Sequence, residues 1–149
     1  MRFANRIDAG RQLADTLRAH SLVSPVVVGM SRGGVPVAAE VARELGMPLE
    51  ICVVRKLQAP GLSPVTIGAI AEGGARYIDE ALLAGLRVSQ QELERATLRE
   101  QAEVTRLSQL LRDRPAIELA GRDAILVDDG LLTGGTVRAA VRSLGMRGA

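Results

Sequence analysis

Apolar residues along the chain fall into two kinds of pattern. Uninterrupted apolar runs occupy residues 25–29, 51–54 and 124–127, the signature of short strands buried on both faces. Between them apolar residues recur at helical spacing. Asp8 can cap a helix over residues 9–19 with Ile7, Leu13 and Leu17 facing inward, ended by the solitary surface His20. Val37, Ala38, Val41, Ala42 and Leu45 mark a second helix, with Pro36 in its first turn and Gly46 at its C-terminal cap. Ser89-x-x-Glu92 is a capping box opening a long helix to about Arg112, on the order of 35 Å, with a charged outer face.

The middle of the chain reads differently. A strand over 49–54 ends in Arg55 and Lys56, and residues 57–66 carry Pro60, Gly61 and Pro64, which interrupt any period. That stretch is long for a plain connection, so it reads as a lid or as a solvated hairpin loop. Residues 67–72 and 76–79 then pair as antiparallel strands around Gly73-Gly74. Apolar strands alternating with helices predict an α/β fold with a doubly wound parallel sheet, whose ligand loops lie at strand carboxyl ends. The 149 residues suit one domain, 1–149.

Two of these strands run into glycine-rich loops that open helices. Residues 124–127 lead to Asp128, Asp129 and then Gly130-Leu131-Leu132-Thr133-Gly134-Gly135-Thr136. Free amides at a helix N-terminus, glycines that admit close approach and two hydroxyls suit a phosphate. The adjacent carboxylates suit sugar hydroxyls or a hydrated divalent metal. A surface turn followed by a helix cap is the plainer alternative. The P-loop and dinucleotide-binding spacings are both absent. Residues 25–29 likewise lead to Ser31-Arg32-Gly33-Gly34 and the second helix.

Val127, Asp128, Asp129, Thr133, Gly134 and Thr136 fill every defined position of V-[DE]-D-x-x-x-T-G-x-T. The stretch thus resembles the signature of the type I phosphoribosyltransferases. The phrases Val-Val-Arg-Lys-Leu and Gly-Ala-Ile-Ala-Glu-Gly-Gly resemble one bacterial subgroup of that family. The resemblance implies transfer of phosphoribosyl from 5-phosphoribosyl diphosphate (PRPP) to a small nitrogenous base, with Mg²⁺ as cofactor. It implies that Asp128 and Asp129 hold the ribose hydroxyls and, through water, the metal. Leu132, Thr133, Gly134, Gly135 and Thr136 would take the 5′-phosphate. Ser31, Arg32, Gly33 and Gly34 would take pyrophosphate, with Lys56 adding charge and Arg32 counted with the two aspartates as catalytic. The 57–66 segment would be a mobile loop closing over the site.

Purine-salvage members place an Asp immediately before Thr-Gly; here Leu132 stands there, so a carboxylate base from that position is unavailable. The family pattern also continues beyond residue 144 to a further parallel strand. The resemblance therefore implies a sheet without its final strand, an open edge beside 124–127 and self-association into a homo-oligomer. A non-catalytic PRPP- or nucleotide-sensing module and an inactive short relative are the competing readings.

Composition excludes several other functions. Net charge is only +2, and Phe3 and Tyr77 are the only aromatics, so neither an electrostatic nor a stacking footprint for nucleic acid exists. Eighteen of the nineteen basic residues are arginines scattered along the chain, Lys56 being the exception. The lone Cys52 lies in an apolar run and reads as a core thiol. With no signal-like segment and no apolar stretch of membrane-spanning length, a cytoplasmic location without membrane contact is expected.

Overall fold

The computed structural model describes residues 3–149, and the chain packs as two compact units. The first comprises Met1–Cys52, Arg114–Leu131 and Arg147–Ala149; the second comprises Val53–Asp113 and Leu132–Met146.

In the first unit, β1 (Val26–Met30) is the centre of a parallel sheet, between β2 (Leu49–Cys52) and β6 (Ala124–Val127). Gly29 stands opposite Ile51 on one side and Val127 on the other, so β1 and its neighbours end level. All five residues of β1 are buried, as their continuous apolar character predicts. Helix α2 (Gly34–Leu45) lays Val37, Ala38, Val41 and Ala42 on Val27 and Val127, with Leu13 and Leu17 of α1 (Arg6–Leu17) packed around them. It ends as expected, with Gly46 left-handed at φ 63°.

Helix α1 starts three residues before its expected first turn. Asn5, not Asp8, is its cap, accepting from the Asp8 N–H at 2.9 Å. The Asp8 carboxylate instead accepts from Gln12 and from the Ala4 N–H. Ile7 is 52% exposed and not inward-facing, because burial in α1 begins only at Gly10. A Cβ at Gly10 would stand 2.9 Å from the Val37 carbonyl oxygen and 2.6 Å from the Glu40 Cβ, so α1 and α2 pack with no room for a side chain there. Arg11 and Arg43 both donate to the Glu40 carboxylate at 2.8 Å.

Arg43, with Arg11, holds the Glu40 carboxyl at about 2 against an ordinary value of 4.5. A depressed native pKa contributes stability above the unfolded value and loses it as pH falls toward the native one. The stability gap between wild type and Glu40→Gln should therefore be constant above about pH 4.5 and shrink toward pH 2. Urea melts at a series of pH values test this, and a gap independent of pH would contradict it.

The second unit holds an antiparallel meander of β3 (Val54–Gln58), β4 (Thr66–Ala71) and β5 (Arg76–Ile78). The strand expected over 49–54 is thus two strands in two sheets. Val53 belongs to neither; its N–H donates to the Glu72 carboxylate at 2.9 Å, which ends one run and starts the next. Residues 59–65 form the β3–β4 hairpin loop, closed by the Ala59 N–H donating to the Val65 carbonyl at 2.8 Å. The short α3 (Glu80–Ala84) and the long α4 (Gln90–Leu111) follow, α4 opening on the expected Ser89/Glu92 capping box. Helix α5 (Gly135–Met146) also packs on this sheet, buried through Ala139, Ala140, Ser143 and Leu144. Glu72 ties the unit together, pairing with Arg112 at 3.0 Å while its carbonyl accepts from Ser143 at 2.8 Å.

Cys52 is buried and His20 is exposed, as expected. Among the described residues no helix is long and apolar enough to cross a membrane.

Candidate functional site

The loops after β1 and β6 leave adjacent parallel strands at their carboxyl ends, where open α/β sheets place ligand loops. In the first unit this brings Ser31, Arg32, Gly33 and Gly34 together with Asp128 and Asp129. The Ser31 N–H donates to the Cys52 carbonyl at 3.0 Å, extending the strand ladder one residue into the loop. The Ser31–Arg32 peptide is cis, and the Arg32 side chain is exposed.

The two glycines explain themselves by close approach. A Cβ on Gly33 would overlap the Asp129 carboxylate, and one on Gly34 would overlap the Val127 carbonyl and stand 2.7 Å from the Asp128 Cα. The pair lets the β1 loop lie directly against the acidic segment, with its backbone unshielded by side chains. The Asp129 N–H donates to the Asp128 carboxylate at 2.9 Å, while the Asp129 carboxylate has a partner of its own. That partner is Arg6, whose Nη2 donates to Asp129 Oδ2 at 2.6 Å. Arg6 carries no sequence signal, since 123 residues separate it from Asp129.

The remaining expected residues belong to the second unit. Leu132 is 93% exposed and Thr133 is exposed, while Gly134, at φ 77°, turns the chain into the first turn of α5. Gly135 lies against Tyr77: a Cβ there would meet the ring at 3.5 Å, while Arg138 and Arg142 stack on that ring at 5.3 and 5.8 Å. Tyr77 thereby packs the start of α5, a role that nothing in its sequence neighbourhood signals. Lys56 is exposed within β3, opposite Ala69, and not at a strand end as expected.

A parallel sheet in which one strand ends in a Ser-Arg-Gly-Gly loop and its neighbour in an acidic pair that leads into Thr-Gly-Gly-Thr is the arrangement of a phosphoribosyltransferase-type α/β protein. Residues 4–149 match the phosphoribosyl transferase domain family, and the chain belongs to it. It is 40% identical over 148 residues to proteins of Mycobacterium tuberculosis, strains CDC 1551 / Oshkosh and ATCC 25618 / H37Rv, each named "Putative phosphoribosyl transferase". The match covers 99% of this chain and 33% of those proteins, so the chain spans about a third of the length of these curated relatives. The crystal structure of TT1426 from Thermus thermophilus is 41% identical, with a TM-score of 0.76 over 99% of this chain and 71% of that one. A purine phosphoribosyltransferase from Pyrococcus horikoshii Ot3 shares the fold at 20% identity, with a TM-score of 0.52 over 97% of this chain and 66% of that one.

Proposed function

We propose that this domain binds PRPP and transfers its phosphoribosyl group to a nitrogenous base, releasing pyrophosphate. The observation that carries the reading is a complete Val127–Asp128–Asp129…Thr133–Gly134…Thr136 signature whose acidic pair lies against two side-chain-free loop residues, Gly33 and Gly34. The amides of residues 132–136, with the Thr133 and Thr136 hydroxyls, take the 5′-phosphate at the start of α5. Asp128 and Asp129 accept from the ribose hydroxyls. Ser31, Arg32, Gly33 and Gly34 take the pyrophosphate, and Lys56 adds positive charge.

The donor set decides how Mg²⁺ would be held. No cluster of three or more His, Cys, Asp or Glu capable of holding a metal occurs among the described residues. Two adjacent carboxylates fit the other mode of magnesium binding, in which the ion keeps water and takes substrate phosphate oxygens. Asp128 and Asp129 would hold its hydration shell, and the ion would neutralise charge on the departing pyrophosphate.

In the reaction a base nitrogen forms a bond to the anomeric carbon while the bond to pyrophosphate oxygen breaks, the electron pair leaving with pyrophosphate. Ser31, Arg32 and the loop amides stabilise that developing charge, and the aspartates fix the ribose. The base's proton passes to solvent, because Leu132 offers no carboxylate to receive it. The resemblance gives residues 57–66 the part of a mobile loop that would exclude water during transfer.

PRPP sensing without transfer is a second reading, favoured by the apolar, 93% exposed Leu132 at the position before Thr-Gly. Pyrophosphate release should be measured with PRPP, Mg²⁺ and a panel of purine and pyrimidine bases. Release dependent on one base supports transfer. PRPP binding without release for any base selects sensing.

A further inference from the structure

Arg6 sits where helix energetics disfavour it. It is the first residue of α1, at the positive end of the helix dipole, where a cation is repelled. Its ion-pair partner is Asp129, across 123 residues of sequence, and the pair leaves Arg6 59% and Asp129 34% exposed. A local preference broken without a gain in burial marks a residue kept for another purpose.

The packing of α1 fixes where this guanidinium lies. Gly10 seats α1 against Val37 and Glu40, Arg11 bonds Glu40, and Arg18 donates to the Glu44 carbonyl at 3.0 Å. Helix α2, which receives all three contacts, starts at Gly34, directly after the Ser31-Arg32-Gly33 loop. Arg6, the Asp129 carboxylate and Gly33 therefore form one contiguous patch at the loop proposed for pyrophosphate.

Resting on the PRPP reading above, we infer that Arg6 is a further pyrophosphate-binding residue that exchanges its Asp129 partner for the anion when pyrophosphate binds. The exchange answers two electrostatic demands together. Pyrophosphate carries several negative charges, and a guanidinium forks across two phosphate oxygens better than any other side chain. Asp129, released from Arg6, keeps both oxygens for ribose hydroxyls and for water on the metal.

The test uses inorganic pyrophosphate and ribose 5-phosphate, titrated separately without metal into the wild-type chain, Arg6→Gln and Arg6→Lys. Arg6→Gln should bind pyrophosphate about tenfold more weakly, the weight of one charge-assisted contact. It should bind ribose 5-phosphate within about twofold of wild type. Arg6→Lys, which keeps the charge and loses the fork, should lie between the two for pyrophosphate. Unchanged pyrophosphate affinity in Arg6→Gln overturns the assignment. So does equal loss of both ligands, which would make Arg6 a prop for Asp129, and so does a lysine variant no better than glutamine. A wild-type chain that binds neither ligand refutes the PRPP reading itself, a result distinct from all of these.

Discussion

Asp129→Asn should reduce ribose 5-phosphate affinity by about 10–100-fold, the weight of hydrogen bonds to a charged acceptor. The carboxamide matches the carboxylate in size, so it still fits beneath Gly33, but it accepts through one atom and carries no charge. The fold should tolerate the change, because the lost ion pair with Arg6 is largely exposed and such pairs contribute little. Pyrophosphate affinity should be retained, since the substitution removes a negative charge beside that anion and frees Arg6. Calorimetry with the two ligands separately reads both effects. Loss of pyrophosphate binding in this variant would reverse the roles given to the two loops.

The second large effect is expected at Gly34. In Gly34→Ala the new methyl meets the Val127 carbonyl and the Asp128 Cα, both of them backbone and neither able to swing aside. Overpacking of this kind costs about 1–3 kcal/mol, partly offset by the better helix propensity of alanine. The strain falls on the residues proposed to bind ribose, so affinity for both ribose 5-phosphate and pyrophosphate should drop with stability. Gly145→Ala is the control: it lies in α5 with nothing within 4 Å of its Cβ, and should be neutral or stabilising by up to about 1 kcal/mol. Equal denaturation midpoints for the Gly34 and Gly145 variants would show that the loop does not depend on this close approach.

How much of the fold is legible in the sequence follows the range of each interaction. The central parallel strand is readable because all five of its residues are buried, which demands a continuous apolar run; β2, which includes Glu50, and β6 are edge strands and only partly buried. The capping box at Ser89 is readable because both partners lie within one helical turn. The break at Val53 is not. Residues 51–54 are uniformly apolar, and the group that interrupts them is the Glu72 carboxylate, nineteen residues later. The start of α1 is ambiguous for a local reason: Asn5 and Asp8 are both good caps three residues apart, and in the structure Asn5 takes the role by accepting from the Asp8 N–H.

The candidate site divides in the same way. Asp128, Asp129 and residues 132–136 form one continuous motif and can be named from it. Gly33 and Gly34 are a weak signal as a Gly-Gly turn and become specific with Asp128 and Asp129 lying against them. Arg6 and Tyr77 are invisible in the sequence, because their partners Asp129 and Gly135 lie far along the chain. Lys56 follows an apolar run that reads as one strand, and the division of that run at Val53 leaves it within β3.

Recognition of PRPP through the Asp128–Asp129 pair and its flanking loops is the step on which the proposed transfer depends. Titration calorimetry of PRPP, with Mg²⁺ and with the metal chelated, tests it most directly in the wild-type chain and in Asp128→Asn/Asp129→Asn. Saturable one-site binding is expected, weakened by chelation and lost in the double variant while the fold persists. PRPP binding unchanged in the double variant, or no binding by the wild-type chain with Mg²⁺ present, would contradict it.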